Sequence, residues 1–223
     1  DHLPLADRPP GREKLWQVRA QQVVLATGAA ERPLIFANND RPGIMLASAV
    51  SIYTNRYAVK PGSRAVVFTN NDSAYQTALD LKAAGVDVVA LIDARSDCAS
   101  EIANTVRSAG IEVQNGSVVV DTVGRKRLSS IQVMRLSADG NSVSGSPQSI
   151  GCDLLAVSGG WSPVVHLNAQ SGARPEWDEA VAMFKPGKPT QAQFSAGGAN
   201  GTLDLAGCLQ EGSAAGGAAL KAC

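Results

Sequence analysis

The sequence is poor in the residues that most often form metal sites and redox centres, with four cysteines and two histidines among 223 residues. Zinc sites and dithiol centres usually show closely spaced cysteines. Here the cysteines are far apart and form no CxxC pair: Cys98, Cys152, Cys208 and Cys223. We interpret them as reduced, mostly buried thiols. Neither histidine has a patterned partner, so the sequence predicts no metal ligand and no catalytic residue.

Net charge and long apolar runs are also lacking. Twenty basic and twenty acidic residues give a formal net charge of zero, which offers no electrostatic attraction to nucleic acid or to an anionic membrane. No apolar run approaches the roughly 20 residues that span a bilayer, and the start "DHLPLADRPPGREKLW" lacks a signal-peptide pattern. We therefore predict a cytoplasmic protein with no nucleic-acid partner and no membrane partner.

Glycine is missing from a turn where a dinucleotide-binding unit needs it. The segment "VVFTNNDSAYQTALDLKAAG" (66–85) continues a strand from Arg64 and turns into a helix at about Ser73. A second strand, "VDVVALIDAR", ends in Asp93, about 20 residues on, where such units carry a ribose-binding acid. The turn of 69–74 contains no glycine. The pattern therefore predicts a Rossmann-like unit without its phosphate-binding fingerprint.

The residues of this turn suggest why the unit needs no glycine. In a working fingerprint the second glycine lets pyrophosphate approach the backbone, but Thr69 and Asn71 put side chains into that space. Because asparagine tolerates left-handed backbone, the turn can still form. We predict that Asp72 caps the following helix, where a phosphate would otherwise lie. We interpret the unit as structural, and Asp93 as a strand-end polar residue.

The rest of the chain alternates strands and helices, which predicts an α/β fold with parallel sheets. The run "LWQVRAQQVVLATG" (15–28) suits a strand buried on both faces. Segment 138–151 is polar and predicts a hairpin or a loop. The remaining predicted elements are helices at 45–57, about 98–109 and about 209–222, and strands within 111–124, 128–137, 152–165 and 180–184 and near 194–199.

Two segments share one pattern, in which an apolar strand is followed by Thr or Ser, then Gly, and a few residues later by Pro. "VVLATGAAERP" (23–33) and "LLAVSGGWSP" (154–163) flank the Rossmann-like unit. With "DLAGCLQEGSAAGGAA" (204–219), they resemble the flavoproteins with two dinucleotide-binding domains, of the pyridine nucleotide-disulfide oxidoreductase type. The segments "ERPLIFANNDRPGIMLASAVSIYTNRYAVKPG" (31–62) and "LLAVSGGWSPVVHLNAQSG" (154–172) are similar to the alpha subunit of heterotetrameric sarcosine oxidase.

This resemblance implies a domain arrangement. Residues 1–43 would end a first FAD/NAD-binding domain, 44–160 would form an inserted Rossmann-like domain, and 161–223 would return to the first domain. It also implies that the chain is a central part of a longer subunit. A GxGxxG unit would then precede Asp1, and a folate-binding region would follow Cys223.

The resemblance further implies an activity. The intact complex would oxidatively demethylate sarcosine to glycine, pass the one-carbon unit to tetrahydrofolate or release it as formaldehyde, and reduce oxygen to hydrogen peroxide. The catalytic flavin would lie on the beta subunit, with beta and smaller subunits as partners. The intact alpha subunit would hold NAD and tetrahydrofolate, and the complex would contain FAD and FMN.

The resemblance also implies two cofactor-binding segments. Ala26, Thr27 and Gly28 form a turn that lies against the first domain's nucleotide in relatives. Gly207 and Cys208 replace the family's usual Gly-Asp, whose carboxylate normally binds the flavin's ribityl chain or adjoining phosphate region. A thiol is a poor hydrogen-bond donor, so this change argues against a standard FAD and is compatible with NAD.

Two other functions stay open at this point. One is a subunit of another amine or opine oxidase, or of an NADH-linked amino-acid dehydrogenase, built on the same scaffold. The other is a structural scaffold that binds no nucleotide.

Overall fold

The computed structural model describes residues 15–223, which form two compact units: 15–28 with 163–223, and 29–162. The predicted boundary at 43/44 therefore falls inside the second unit, which includes the proline-rich connector. The assignment of inserted and flanking domains stays a prediction. The first 14 residues of the predicted segment 1–43 lie outside the described residues.

The described elements follow the α/β order that the sequence predicts. In chain order they are β1 (Val23–Leu25), β2 (Ala29–Glu31), β3 (Ile44–Leu46), α1 (Ala47–Tyr57), β4 (Arg64–Thr69), α2 (Ser73–Ala83), β5 (Asp87–Asp93), α3 (Glu101–Ser108), β6 (Val113–Asn115), β7 (Ser117–Gly124), β8 (Leu128–Leu136), β9 (Val143–Gly151), β10 (Leu154–Ser158), β11 (Trp161–Pro163), α4 (His166–Gln170), β12 (Glu176–Asp178), β13 (Met183–Lys185), β14 (Gln193–Ser195) and α5 (Leu205–Lys221).

Unit 29–162 is built on a five-stranded parallel sheet in the order β3-β10-β4-β5-β6. Every residue of β10 is buried, and so is every residue of β4 after its first. Continuous apolar strands of this kind occur where both faces of a parallel sheet are covered. The α/β fold and the Rossmann-like parallel sheet are thereby confirmed.

The two faces of this sheet have different covers. Ala65 and Val67 face the layer of α1, α2 and α3, while Val66 and Phe68 face the antiparallel strands β7, β8 and β9. Successive side chains of a strand point to opposite faces, so an unbroken apolar run serves both layers. Burying one large apolar side chain such as Phe68 stabilises the fold by about 1.5–3 kcal/mol. The polar segment 138–151 forms the β8–β9 hairpin, one of its two predicted forms.

Side-chain caps set where two of the helices begin. The Ser100 side chain accepts a hydrogen bond from the Ala103 amide, so α3 starts at Glu101 instead of about residue 98. In the other unit, Asp204 caps α5 in the same way, and that helix starts at Leu205 instead of about residue 209. A capping side chain satisfies one of the amides that a helix start leaves unpaired.

Unit 15–28 with 163–223 contains a parallel pair, β1 with β14. The prediction that β1 is buried on both faces is wrong: Val23 is 43% exposed and Val24 is 38% exposed, and only Leu25 is buried. Among the described residues, β1 pairs with β14 alone, in a two-stranded sheet. The antiparallel hairpin β12–β13 belongs to the same unit.

Candidate functional site

The turn between β4 and α2 is held by side chains. Thr69 Oγ1 accepts a hydrogen bond from the Asn71 amide (3.0 Å), and Asn71 Nδ2 donates to the Ser158 carbonyl oxygen (3.2 Å) and hydroxyl (3.1 Å). No residue of 69–74 has a positive φ. The expectation that Asn71 would relieve a left-handed turn is therefore wrong. Its amide instead ties the end of β4 to the end of β10.

The first turn of α2 is occupied by its own neighbours. Asn71 Oδ1 accepts from the Ser73 amide (3.1 Å) and from the Ser73 hydroxyl (2.6 Å), and the Trp161 indole donates to that hydroxyl (3.0 Å). The predicted side-chain cap from Asp72 is wrong, because its carboxylate makes no capping hydrogen bond. A dinucleotide's pyrophosphate normally binds to the amides at such a helix start. Here side chains fill that place.

The Asp72 carboxylate turns to an arginine two residues beyond β5. Arg95 Nη2 lies 2.7 Å from Asp72 Oδ1 and 2.7 Å from Asp93 Oδ2. Asp93, whose side chain has 0% exposure, also accepts from the Arg95 amide (2.9 Å) and from the Tyr75 hydroxyl (2.7 Å). Cys98 Sγ completes the group, 3.2 Å from Arg95 Nη2 and 3.4 Å from Asp72 Oδ1. We name Asp72, Tyr75, Asp93, Arg95 and Cys98 the Arg95 cluster.

In the Arg95 cluster, the positive charge of Arg95 and the carboxylate of Asp72 each shift the pKa of the other toward the ionised form. Burial acts to raise the pKa of Asp72, but hydrogen bonds from Arg95 and other neighbours and the Arg95 charge outweigh it, and the pKa lies below its usual value. Burial acts to lower the pKa of Arg95, yet Asp93 and Asp72 hold it above its usual value. Burial and the hydrogen bond to Asp93 raise the pKa of Tyr75. At neutral pH Asp72 is therefore ionised beside the charged Arg95, and the Tyr75 hydroxyl keeps its proton.

Replacing Asp72 tests whether its ion pair with Arg95 stabilises the fold. Asp72→Asn should lower the free energy of unfolding by about 1 kcal/mol at neutral pH, the upper range for a partly exposed ion pair. Because the folded-state pKa of Asp72 is lowered, its carboxylate stabilises the fold above the unfolded-chain value of about 3.9. That contribution disappears as the pH falls through the lowered folded pKa. Urea unfolding from about pH 7 down to pH 3 measures the difference.

A matched control is Asp97→Asn. Asp97 is exposed and makes no ion pair with a described residue. It should change stability by less than about 0.5 kcal/mol. A destabilisation by Asp72→Asn that stayed constant over this pH range would contradict the ion pair.

The Arg95 cluster engages the acid that a dinucleotide bound in the usual way would use. The acid expected at a ribose, Asp93, is buried and committed to Arg95 and Tyr75. At the start of α2, the amide of Ser73 already donates to Asn71 Oδ1, so it is not free for a phosphate. Asp93 is the strand-end residue that the sequence predicts, but its burial and its arginine partner could not be read from the sequence.

The turn predicted to contact a nucleotide lies at the carboxyl end of β1. Ligands of open α/β sheets bind outside the carboxyl ends of the strands. Thr27 Oγ1 donates to the Val164 carbonyl oxygen (2.7 Å), and the Val164 amide donates to the Gly28 carbonyl oxygen (2.9 Å). Gly28 has φ +77°, and a Cβ built there meets no atom within 4 Å. The turn of Ala26–Gly28 is therefore held by hydrogen bonds to Val164, and the space beside the Gly28 Cα is open.

The other two predicted residues lie in the first turn of α5. The Gly207 amide donates to Asp204 Oδ1 (2.8 Å), and a Cβ at Gly207 would lie 2.6 Å from the Thr202 methyl carbon. Cys208 Sγ donates to the Thr202 carbonyl oxygen (3.2 Å) and packs beside Gly197, where a built Cβ lies 3.4 Å from the sulfur. In this structure both residues serve the capping and packing of α5.

Sequence reasoning did not place the segment that follows β14 beside the Ala26–Gly28 turn. Leu25 pairs with Ser195 in parallel register, and the Ala196 amide donates to the Leu25 carbonyl oxygen (3.0 Å). Residues 196–198, Ala-Gly-Gly, therefore lie beside the Ala26–Gly28 turn, at the same carboxyl edge. The signal that could have revealed them is the strand followed by small residues in "FSAGG", the pattern also present in "VVLATG".

Several other predictions concern the described residues. All four cysteines are free; Cys98 and Cys152 are buried, Cys208 is half-buried and Cys223 is exposed. Burial raises the pKa of the Cys152 thiol to about 12. Within 15–223 there is no group of three or more His, Cys, Asp or Glu side chains placed to hold a metal ion. No helix in that range has the length and apolar character needed to cross a membrane.

Comparison with known proteins identifies relatives of this chain, although no family model matches it. It is 48% identical over 222 residues to the sarcosine oxidase subunit alpha of Corynebacterium sp. (strain P-1), and 41% identical over 214 residues to that of Rhizobium meliloti (strain 1021). These matches cover 97% and 96% of the chain but 22% and 20% of the relatives. The chain thus spans about a fifth of their length. A more distant relative is the hydrogen cyanide synthase subunit HcnB of Pseudomonas protegens, 28% identical over 181 residues, which cover 73% of the chain and 38% of HcnB.

Solved structures with the same fold are oxidoreductases. Thioredoxin reductase from T. acidophilum superposes with a TM-score of 0.68 at 17% identity, over 90% of this chain and 64% of that one. Thioredoxin reductase from Lactococcus lactis gives 0.67 at 18% identity, over 90% and 65%. Likeness at this level of identity establishes the fold alone, whereas the identity to the relatives extends over nearly the whole chain. Over nearly its whole length, the chain is therefore a homologue of one segment of the sarcosine oxidase alpha subunits.

Proposed function

We propose that this chain is the part of a sarcosine oxidase alpha subunit that supports NAD binding and assembly. In this proposal it carries no amine-oxidising centre of its own. The inserted unit, 29–162, acts as a structural domain. NAD contacts the carboxyl edge formed by Ala26–Gly28 and Ala196–Gly198.

The observation that carries this proposal is the Arg95 cluster. An inserted domain that bound a dinucleotide would need an open helix start and a free acid at the end of β5. Asp72 and Asp93 are instead both held by Arg95. By contrast, the carboxyl edge of β1 and β14 presents small residues, with open space beside Gly28. Small residues allow a cofactor to approach the backbone closely.

The wider activity follows from the relatives' names and stays part of the proposal. The intact complex would convert sarcosine to glycine with formation of hydrogen peroxide, passing the one-carbon unit to tetrahydrofolate or releasing it as formaldehyde. The catalytic flavin would belong to a beta subunit, with FAD and FMN in the complex and smaller subunits as further partners. Tetrahydrofolate would bind elsewhere in the longer subunit, and the complex would be cytoplasmic.

The second candidate is a subunit of another oxidoreductase on this scaffold. The match to a hydrogen cyanide synthase subunit favours such a relationship, but it is 28% identical, against 41–48% for the sarcosine oxidase subunits. The sarcosine oxidase assignment is therefore the one we adopt.

Asp72→Ala in a full-length alpha subunit that carries this sequence tests the proposal. Loss of the partly exposed ion pair should lower the free energy of unfolding by about 1 kcal/mol. The NAD released on denaturation should stay at the level of the unaltered subunit, because Asp72 lies in the closed inserted unit. Mass spectrometry of the denatured complex measures NAD, and thermal unfolding measures stability.

Asp97→Ala is the control for this experiment, since it removes the same charge four residues after Asp93 from an exposed side chain. It should change neither NAD content nor stability. If no NAD is released from the unaltered subunit, the scaffold that binds no nucleotide replaces the proposal.

A further inference from the structure

A cavity of about 690 Å³ lies at the amino ends of β4 and β10, within unit 29–162. Its lining comes from residues 125–129, from residues 151–153 and from Arg64 at the start of β4, and we name it the basic cleft. The Arg95 cluster lies at the other end of the sheet, beyond the carboxyl ends of β4 and β5. The volume falls within the roughly 300–1,000 Å³ of small-molecule sites.

The β7–β8 turn, residues 125–127, is anchored where it leaves β7 and where it enters β8. On the first side, Arg41 Nη1 donates to the Gly124 carbonyl oxygen. On the second side, the Leu128 amide donates to the Pro42 carbonyl oxygen (2.9 Å). Consecutive Cα atoms are about 3.8 Å apart. Three cationic residues, Arg-Lys-Arg, therefore project from one short anchored turn.

Two backbone hydrogen bonds bring Arg64 to the same cleft. The Cys152 amide donates to the Ser129 carbonyl oxygen (3.2 Å), which joins the segment before β10 to β8. The Asp153 amide donates to the Arg64 carbonyl oxygen (2.9 Å), which joins that segment to β4. Arg64 is therefore a fourth cationic residue of the lining, contributed by a different strand.

The four cations are exposed and only weakly compensated. Residues 125–127 make no ion pair with a described residue. Arg64 has one carboxylate near it, with Nε 3.8 Å from Asp87 Oδ2. That distance is longer than a hydrogen bond, so Arg64 still has donors to offer a ligand.

Among the described residues that line the basic cleft, Asp153 alone carries a carboxylate. It is already engaged, since Asp153 Oδ1 accepts hydrogen bonds from the Arg64 amide (2.8 Å) and the Ser63 amide (2.9 Å). Burial raises the pKa of the Cys152 thiol to about 12, so this thiol of the lining is neutral at pH 7. Four cationic side chains and one carboxylate thus give the cleft an excess of positive charge, in a chain whose formal net charge is zero.

The exposure of these cations decides which ligand the cleft suits. A single exposed ion pair contributes little, because solvent and salt screen it. A ligand with several adjacent negative charges pairs with several cations at once. The forked guanidinium of arginine also matches the oxygens of carboxylates and phosphates.

We propose that the basic cleft binds a small anion that carries at least two negative charges on carboxylate or phosphate groups. The oxygens of the anion accept hydrogen bonds from the side chains of the β7–β8 turn and of Arg64. The cleft lies in unit 29–162, whereas the proposed NAD edge lies in the other unit. Binding of the anion therefore does not depend on NAD.

Calorimetric titration of the 223-residue chain with citrate and with inorganic pyrophosphate tests this proposal. At about 20 mM salt, where screening is weak, at least one of the two should bind with a Kd of about 1 mM or lower. Acetate carries one charge and should bind at least tenfold more weakly. Raising the salt to about 0.5 M should weaken binding at least tenfold. Binding of citrate alone assigns carboxylates, binding of pyrophosphate alone assigns phosphates, and binding of both assigns the shared pattern of adjacent charges.

Two double variants with the same loss of charge show where the anion binds. Arg125→Gln with Lys126→Gln removes two cations of the basic cleft and should weaken binding at least tenfold. Arg174→Gln with Lys221→Gln removes one arginine and one lysine that are exposed and lie outside the cleft lining. This control should change binding by less than about twofold, because salt screens distant charges.

Thermal unfolding confirms that each variant is folded. If the first double variant does not fold, Arg125→Gln alone takes its place, and a loss of at least threefold is expected. Equal affinity of the parent chain and of a folded cleft variant would overturn the proposal, and so would equal weakening by the two double variants. Failure of both citrate and pyrophosphate to bind, or an equal affinity for acetate, would overturn it as well.

Discussion

Replacing Arg95 by methionine is expected to lower the free energy of unfolding by about 1.5–3 kcal/mol, the range for hydrogen bonds to a charged group. Arg95 is the guanidinium that holds the fully buried Asp93, through Nη2 (2.7 Å) and Nε (3.1 Å). Without it, the Asp93 carboxylate stays buried with hydrogen bonds but without a cation. Methionine preserves much of the side chain's volume, so the loss reports the interaction instead of a cavity. Urea unfolding measures the change.

Two controls separate this effect from a general sensitivity to lost charge. Arg125→Met removes an exposed arginine that makes no ion pair with a described residue, and should change stability by less than about 0.5 kcal/mol. Adding Asp93→Asn to Arg95→Met removes the uncompensated charge and should restore at least about 1 kcal/mol. An Arg95→Met loss below about 1 kcal/mol, or no recovery in the double variant, would contradict the buried ion pair.

Gly28→Ala is expected to weaken NAD binding at least tenfold in a full-length alpha subunit that carries this sequence. Two physical effects act together. Gly28 has φ +77°, where a Cβ costs about 1–2 kcal/mol. The added methyl group also enters the open space in which we place the cofactor. Equilibrium dialysis with NAD measures the affinity.

Gly140→Ala is the matched control for backbone strain. Gly140 has φ +71°, and a Cβ built there also meets no atom within 4 Å. It lies in the β8–β9 connection of the other unit. Both alanine variants should lose similar stability, but only Gly28→Ala should lose NAD. Equal NAD affinity in the two variants would remove Gly28 from the proposed site.

The sequence predicts those parts of the fold that depend on local pattern. The apolar runs of β4 and β10 and the helical spacing of α1 and α2 identify a parallel α/β unit, because each element buries the residues that define its pattern. The prediction of a unit without a phosphate cradle also depends on residue type at a few adjacent positions, because the turn of 69–74 contains no glycine, and it stays a prediction.

The predictions that fail depend on contacts distant in sequence. Asp72 has the residue type and position of a helix cap, but Arg95, 23 residues away, offers a stronger electrostatic partner. The burial of β1 depends on what packs against its two faces, which its own apolar run cannot encode. Likewise, the 196–198 turn is adjacent to Gly28 only because β14 pairs with β1 across about 170 residues of chain.

The same distinction applies to the candidate site. Ala26–Gly28 could be proposed because the resemblance to known flavoproteins rests on one continuous segment, in which a strand ends in small residues. The Arg95 cluster could not, because it joins α2, the end of β5 and the segment before α3. Nothing in the sequence distinguishes its members from other polar residues. Only their burial and the distances between them show that they form one group.

The measurement that tests the central claim most directly is the amount of NAD released from the denatured full-length subunit, determined together with its melting temperature, for Asp72→Ala. In our proposal, the ion pairs of Arg95 with Asp72 and Asp93 leave unit 29–162 without a nucleotide site, and NAD binds at the carboxyl edge of β1 and β14. It predicts that Asp72→Ala melts at a lower temperature and retains its NAD. Loss of NAD at an unchanged melting temperature would contradict it, because Asp72 would then belong to a working nucleotide site.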